Sequence, residues 1–328
     1  MSQLTGASCL ITGGAGYIGA GLLRELAQVA GRVRRFGRSE CRPPLPKGQR
    51  AALEDMVGDV GNRADIGRAI ADVDYIFHLA AQTSVYVAEA DPLRDQEVNL
   101  RSMLQLLEAC RASGRCQTVI FSSTSTVVGL PQCWPVDESP REAPITTYDV
   151  HKLMAEQYLE YYVRRGFIRG TSLRLSNVYG PGPRSSKPER GVLNTMIRRA
   201  LAGEPLKIFG HGDFVRDYVY VGDVARAFTS AAERSEAVNG QHFLLGSGKG
   251  FTLRAAVERV AEIVGAELGK PVLVEHVEPP ATLSAIETRN FVADIGAVRK
   301  ALGWEPRVSL DEGIRLTMAA TLLEHESA

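Results

Sequence analysis

A chain of 328 residues, 45% hydrophobic and 23% charged, has the composition of a soluble globular protein large enough for a well-buried core. Lys+Arg and Asp+Glu each total 38, so the formal net charge is zero and no global field favours nucleic acid or an anionic membrane. The five cysteines form no zinc-type pair, so free thiols in a reducing compartment and no metal site are expected. With no basic-then-apolar start and no run near ~20 apolar residues, the chain reads as cytoplasmic.

Ser8–Thr12 is a short apolar run that reads as a strand. It enters Thr12-Gly13-Gly14-Ala15-Gly16-Tyr17-Ile18-Gly19, where Gly13, Gly16 and Gly19 have GxxGxxG spacing. A helix follows over 18–30, with Ile18, Leu22, Leu26 and Val29 on one side. Glycines between a strand and a helix let the backbone turn sharply and let a pyrophosphate reach the helix N-terminus, where N–H groups and the dipole favour an anion. This context turns a weak glycine pattern into a dinucleotide cradle.

A second strand spans 33–36. Its end is where a dinucleotide fold often carries an acid for the adenosine ribose, and that place falls on Gly37. Arg38 follows, which can face a 2′-phosphate and favour NADP, or stack on adenine, or face solvent. Cofactor choice therefore stays open between NAD and NADP. Segment 41–48, with three prolines and a glycine, is expected to be a surface loop. Gly58-Asp59-Val60 lies where the third strand ends, and Asp59 can accept from the adenine amino group or cap a helix.

Further strands are expected at 74–79 and 118–122, with a helix over 98–112 between them. Strands alternating with helices imply parallel pairing in a doubly wound α/β sheet. The run Ser122-Ser123-Thr124-Ser125-Thr126 leaves the second of these strands, where hydroxyls face the crevice of an open parallel sheet. Pro144, Thr146 and Thr147 then signal a helix running to about Tyr162. Tyr148 and Lys152 lie four residues apart on one face of it. An ammonium one turn away favours the phenolate, as a base active near neutral pH requires. Lys152 can also hold the nicotinamide ribose. His151 points off that face, and neither it nor His211 is assigned a role.

At Gly180-Pro181-Gly182-Pro183 the chain is expected to leave the first domain. The remainder mixes helices over 193–202 and 253–264 with short strands. It reads as a smaller α+β domain, with a return to the first domain near 209–232.

Taken together, these blocks resemble the extended short-chain dehydrogenase/reductase family, especially its nucleotide-sugar epimerases. The match includes 12–19, 58–60, His78-Leu79-Ala80-Ala81, Asn99, 122–129, 148–152, 173–182, 216–225 and 302–306. The resemblance implies a Rossmann-type dinucleotide domain over 1–180, a mainly substrate-binding domain over 181–328, and a homodimer. It makes Thr124, Tyr148 and Lys152 the catalytic set. The cofactor set becomes Gly13, Gly16, Tyr17, Ile18, Gly19, Arg38, Asp59, Val60, Leu79, Ala80, Ala81, Asn99, Ser122, Tyr148 and Lys152. Toward a nucleotide-sugar substrate it places Thr124, Asn177, Val192, Phe209 and Arg216. A bidentate guanidinium suits a diphosphate; the alternative for Arg216 is an ion pair with Asp217.

The chain departs from the family pattern at three places. Val128 stands for the usual tyrosine, Gly37 for the usual acid, and 284–294 holds no clear second diphosphate arginine, Arg289 being the nearest candidate. Dehydratases of the family carry an Asp-Glu pair after the catalytic threonine. Here hydroxyls stand there, so no proton donor for elimination is expected. The resulting expectation is an NAD-dependent epimerase inverting C4 of a UDP-sugar. An NADPH-dependent keto-sugar or carbonyl reductase and a non-catalytic NAD(P)-binding sensor are the alternatives.

Overall fold

The computed structural model describes residues 3–39, 48–183, 191–280 and 283–326; of the expected loop 41–48 only Gly48 lies within them. Twelve strands follow in chain order: β1 Ser8–Thr12, β2 Arg32–Gly37, β3 Ala52–Val57, β4 Tyr75–His78, β5 Thr118–Thr124, β6 Arg169–Leu175, β7 Asn177–Tyr179, β8 Leu206–Phe209, β9 Val215–Tyr220, β10 His242–Leu245, β11 Gly250–Thr252 and β12 Val274–Val277.

Seven of them form one parallel sheet in the order β10-β6-β5-β4-β1-β2-β3. The central strands are almost continuously buried because helices cover both faces. Alternate side chains feed two cores. Ile11, Val33 and Phe77 join Leu22, Leu26 and Phe228 on one face; Leu10, Phe36, Ile76 and Phe121 join Leu106, Leu107 and Leu159 on the other. The strand order reverses between β1 and β4. A crevice therefore opens at the carboxyl ends of the strands, which is the ligand position in such sheets.

The first helix is Tyr17–Val29 and the Tyr148 helix is Thr147–Arg164. The helix expected over 98–112 begins as a π-turn, Glu97–Arg101, before Ser102–Ser113. Helix Val221–Glu233, within the expected return segment, packs on Tyr17–Val29. Strand β9 of that segment does not join the main sheet; it pairs with β7 and β11. Beyond the segment β10 does join, hydrogen-bonded beside β6. Four residues, His242-Phe243-Leu244-Leu245, are too short a run for periodicity to declare an edge strand.

A second layer forms around Leu193, Ile197, Ile208, Val257, Val260 and Ile314, supplied by helices Val192–Leu201, Leu253–Leu268 and Leu310–Glu326 and the β12–β8 pair. Among the described residues no helix is long and apolar enough to cross a membrane.

One buried ion pair fastens the Tyr148 helix to the sheet. Arg174 of β6 is enclosed and donates to both oxygens of Glu156 at 2.7–3.1 Å, with Glu142 completing the fork at 2.7 Å. Removing the cation leaves a buried carboxylate unpaired. Arg174→Met is predicted to cost about 3–5 kcal/mol in urea unfolding, and Arg174→Met with Glu156→Met to recover most of it. Equal losses in the single and double variants would contradict this role.

Candidate active site

The cradle is built by close backbone approach. Gly13 has φ +70°, and a Cβ there would lie 2.8 Å from the Ala80 nitrogen. At Gly19 a Cβ would meet the Gly13 carbonyl at 2.5 Å. Gly16 sits at the N-cap of Tyr17–Val29 with no side-chain hydrogen bond capping the helix, and no acid occupies the first turn. The N–H groups there, and the positive end of the dipole, are thus presented to an anion. These residues fit the pyrophosphate of a dinucleotide: the positions a side chain would fill are glycine, and the end is electropositive. The Tyr17 hydroxyl donates to the Gly180 carbonyl at 2.9 Å, tying the cradle to the chain's exit from β7. Ile18 packs against the core behind it.

Thr12 joins β1 to β4 under the crevice. Its Oγ1 accepts from the Leu79 and Ala80 N–H groups at 3.2 and 3.3 Å and lies 2.9 Å from His78 Nδ1. The Leu79 N–H is shared with the Thr12 carbonyl, also at 3.2 Å. Burial, and secondarily the charge of Lys152, pull His78 down to about 3, in keeping with a neutral ring.

At the end of β2 no acid stands. A Cβ at Gly37 would touch nothing within 4 Å, and Arg38 is exposed. Arg35, just inside, is held by Asp55 through two bonds of 2.6 and 2.7 Å. Asp59 Oδ1 accepts from the Gly61 N–H at 2.7 Å, while Asn62 caps the following helix. Capping, one of the two readings of Asp59, therefore falls to Asn62. Val60 is buried in the core. Asn99 lies in the π-turn. Its amide donates to the Gln82 carbonyl and to Asp95, both at 2.8 Å, and its Oδ1 accepts from the Gln82 N–H at 3.2 Å. Its side chain thus steadies the segment that carries Leu79, Ala80 and Ala81.

Thr146 caps the Tyr148 helix, accepting from the Asp149 N–H at 3.2 Å. Tyr148 is therefore in the first turn and Lys152 one turn deeper. Lys152 is only 2% exposed; its Nζ donates to the Ser122 carbonyl at 2.6 Å and sits 4.1 Å above the Phe121 ring. Burial pulls the ammonium down to about 7, against the opposing charges of Glu156 and Asp95. Ser122 thus meets Lys152 through its backbone. His151 turns away to Asp95, 2.7 Å from its carboxylate.

Thr124 ends β5, and its hydroxyl lies 2.7 Å from that of Thr126. Thr126 donates to Asp149, which also accepts from Thr146 at 2.7 Å. These bonds join the hydroxyl run to the turn that carries Tyr148. Asp149 is a carboxylate that the sequence pattern does not single out.

Arg216 is buried on β9, 4.8 Å over the Phe214 ring, and donates to the Arg289 and Glu287 carbonyls. It is not paired with Asp217, which accepts from the Ser247 N–H and hydroxyl and from the Gly248 and Ala293 N–H groups at 2.6–3.1 Å. Arg289 is the arginine that the sequence left without a clear match. It is buried beside Arg216, donates through Nη2 to the Ser125 hydroxyl at 2.9 Å, and keeps Nη1 buried with no partner. Burial, and then the neighbouring Arg216, bring Arg289 down to about 9. Asn177 is exposed on β7, Val192 opens its helix after Gly191, and Phe209 is 44% exposed at the end of β8.

A glycine cradle at the switch point of a parallel sheet, with a Tyr/Lys pair on the helix that packs against β5, defines a dinucleotide-using enzyme that acts on a hydroxyl or carbonyl. Residues 9–246 match the NAD dependent epimerase/dehydratase family. A UDP-glucose 4-epimerase of Mycolicibacterium smegmatis is 34% identical over 316 residues, 94% of this chain and 96% of that protein. A solved UDP-glucose 4-epimerase of Thermotoga maritima, with UDP-glucose, superposes with a TM-score of 0.85 at 33% identity, covering 97% of this chain and 99% of that one. One from Thermus thermophilus, in complex with NAD, gives 0.81 at 32% identity, covering 95% and 98%. The chain belongs to the NAD dependent epimerase/dehydratase family.

The His78 environment sets a pH window. Its folded value of about 3 lies below the ordinary 6.5, so its stabilising share is complete above pH 6.5 and is lost as pH falls toward 3. Over that window the loss is about 1.4 kcal/mol per pH unit. Unfolding curves of wild type and His78→Asn are predicted to converge as pH falls through this range. Parallel curves would contradict a neutral buried imidazole.

Proposed function

We propose that this chain is an NAD-dependent nucleotide-sugar epimerase that inverts C4 of a UDP-sugar through a 4-keto intermediate. The observation that supports this reading is Tyr148 and Lys152 on successive turns of one capped helix, with Lys152 donating to the Ser122 carbonyl at the end of β5. Bound NAD supplies a hydride acceptor that later returns the hydride. In this reading Tyr148 removes the proton from the C4 hydroxyl oxygen and gives it back after the ring turns over. Lys152 holds positive charge beside the phenol and favours its ionised form. Thr124 stands at the reacting oxygen.

Arg216 and Arg289 anchor the diphosphate while the sugar turns, a task suited to two guanidiniums set among carbonyls, a hydroxyl and aromatic rings. Residues 1–180 with the return segment hold the dinucleotide, and 181–328 supply most sugar-nucleotide contacts, with Asn177, Val192 and Phe209 toward the nucleotide sugar. The homodimer belongs to the same reading and rests on the family resemblance. A second reading, an NADPH-dependent keto-sugar reductase, is favoured by the open space at Gly37 and the exposed Arg38.

Purified protein is predicted to interconvert UDP-glucose and UDP-galactose, or their N-acetyl or uronate relatives, without added cofactor. Tyr148→Phe is predicted to lower kcat by about 10²–10⁴-fold with dinucleotide binding retained. A strict need for stoichiometric NADPH, with a reduced sugar as product, would move the assignment to reductase.

A further inference from the structure

Segment 284–289 carries Arg289 and the two carbonyls that accept from Arg216. Its far end is well held. Arg289 donates to Ser125, the first residue after β5, at 2.9 Å. Beyond it, the Asn290 side chain and the Phe291 N–H bond to Val215 of β9 at 2.7 and 3.1 Å, and Ile286 is buried. The near end reaches across to a different element. There the Ser284 N–H donates to the Tyr86 hydroxyl at 3.3 Å.

Tyr86 lies on the short helix Val85–Ala90, which follows β4. Three residues on, and so on the same side of that helix, Glu89 accepts from the Thr147 N–H at 2.7 Å. Thr147 is the first residue of the Tyr148 helix. One face of Val85–Ala90 thus touches the catalytic helix through Glu89 and the arginine-bearing segment through Tyr86. β4 and β5 are parallel neighbours, and 284–289 runs from the residue after β5 to the helix after β4. It therefore straps the side of the sheet on which the crevice opens.

Building on the epimerase reading, we propose that Tyr86 is a positioning residue for the nucleotide sugar. Its hydroxyl holds strap 284–289 in register with the Tyr148 helix, and through the strap it sets Arg216 and Arg289 on the diphosphate. The bond serves affinity and residence rather than hydride transfer. Tyr148, Lys152 and Thr124 are held by other bonds: the Thr146 cap, the Ser122 carbonyl and the Thr126 hydroxyl.

The test compares two variants that remove opposite halves of the same bond from the intact holoenzyme. Tyr86→Phe deletes the acceptor and keeps the ring. Ser284→Pro deletes the donor at a position whose φ of −68° proline adopts without strain. Each is read by calorimetry with UDP, by stopped-flow release of UDP, and by KM and kcat for UDP-galactose. Each should weaken UDP binding and raise KM about fivefold, the worth of one hydrogen bond, with kcat unchanged. The change should fall on the rate of UDP release. The pair should be no weaker than either variant alone, because both remove one interaction.

Wild-type UDP affinity in Tyr86→Phe would overturn the proposal while leaving the epimerase reading intact. So would a loss confined to kcat, or losses that multiply in the pair. Should Ser284→Pro fail to fold, the split between KM and kcat in Tyr86→Phe decides alone. A wild-type protein that binds UDP but turns over no UDP-sugar would overturn the epimerase reading; fivefold weaker UDP binding in Tyr86→Phe would then still support the strap.

Discussion

A lysine stripped of water organises this site. Lys152 is enclosed by its own helix, the Ser122 carbonyl and the face of Phe121, and that confinement holds its ammonium near the edge of deprotonation. A charge so placed acts on its neighbours at short range and low dielectric. It helps keep His78 neutral under the cradle, and it lies one helical turn from Tyr148. The arrangement holds only if the helix cannot shift on the sheet. The Arg174–Glu156 fork fixes the helix four residues beyond Lys152, and the Thr126–Asp149–Thr146 bonds fix its first turn. Both anchors are polar and buried, which makes position costly to change.

The zero net charge of the chain hides a strongly local pattern. Arg216 and Arg289 lie side by side, buried and stacked on Phe214 and Phe291, and their hydrogen bonds go to carbonyls and a hydroxyl. Arg289 keeps one buried nitrogen unpartnered. Two guanidiniums in such surroundings favour an anion between them. The cradle offers a second, weaker positive pole at the end of Tyr17–Val29. A crevice with one positive pole toward the dinucleotide and another on the side of the second layer suits two pyrophosphate-bearing ligands in one cleft.

Much of this was legible in the residues themselves. The glycine spacing reads directly because each close approach excludes a side chain, and the Tyr148–Lys152 spacing reads because four residues make one helical turn. Other features were hidden for identifiable reasons. Arg289 lies in an irregular stretch after the 3₁₀ turn Ala285–Thr288, where no periodicity predicts which way a side chain faces. An aspartate in the first turn of a helix reads as a favourable partner for the dipole. Nothing in 148–152 says that Asp149 is instead buried against the hydroxyl run. The π-turn that carries Asn99 differs from an α-helix by a single bond offset, below the reach of sequence pattern. The Arg216–Asp217 alternative was open to a simple objection, since adjacent residues of a strand point to opposite faces.

In the proposed reaction a hydride leaves and returns to one sugar carbon within a single bound complex. The most direct measurement follows deuterium placed at C4 of a UDP-sugar through turnover in ordinary water with no added cofactor. Deuterium retained at C4 of the epimer, with none passed to solvent or to free dinucleotide, is the predicted result. Deuterium washed out into water, or delivered to dinucleotide that leaves the protein, would contradict it.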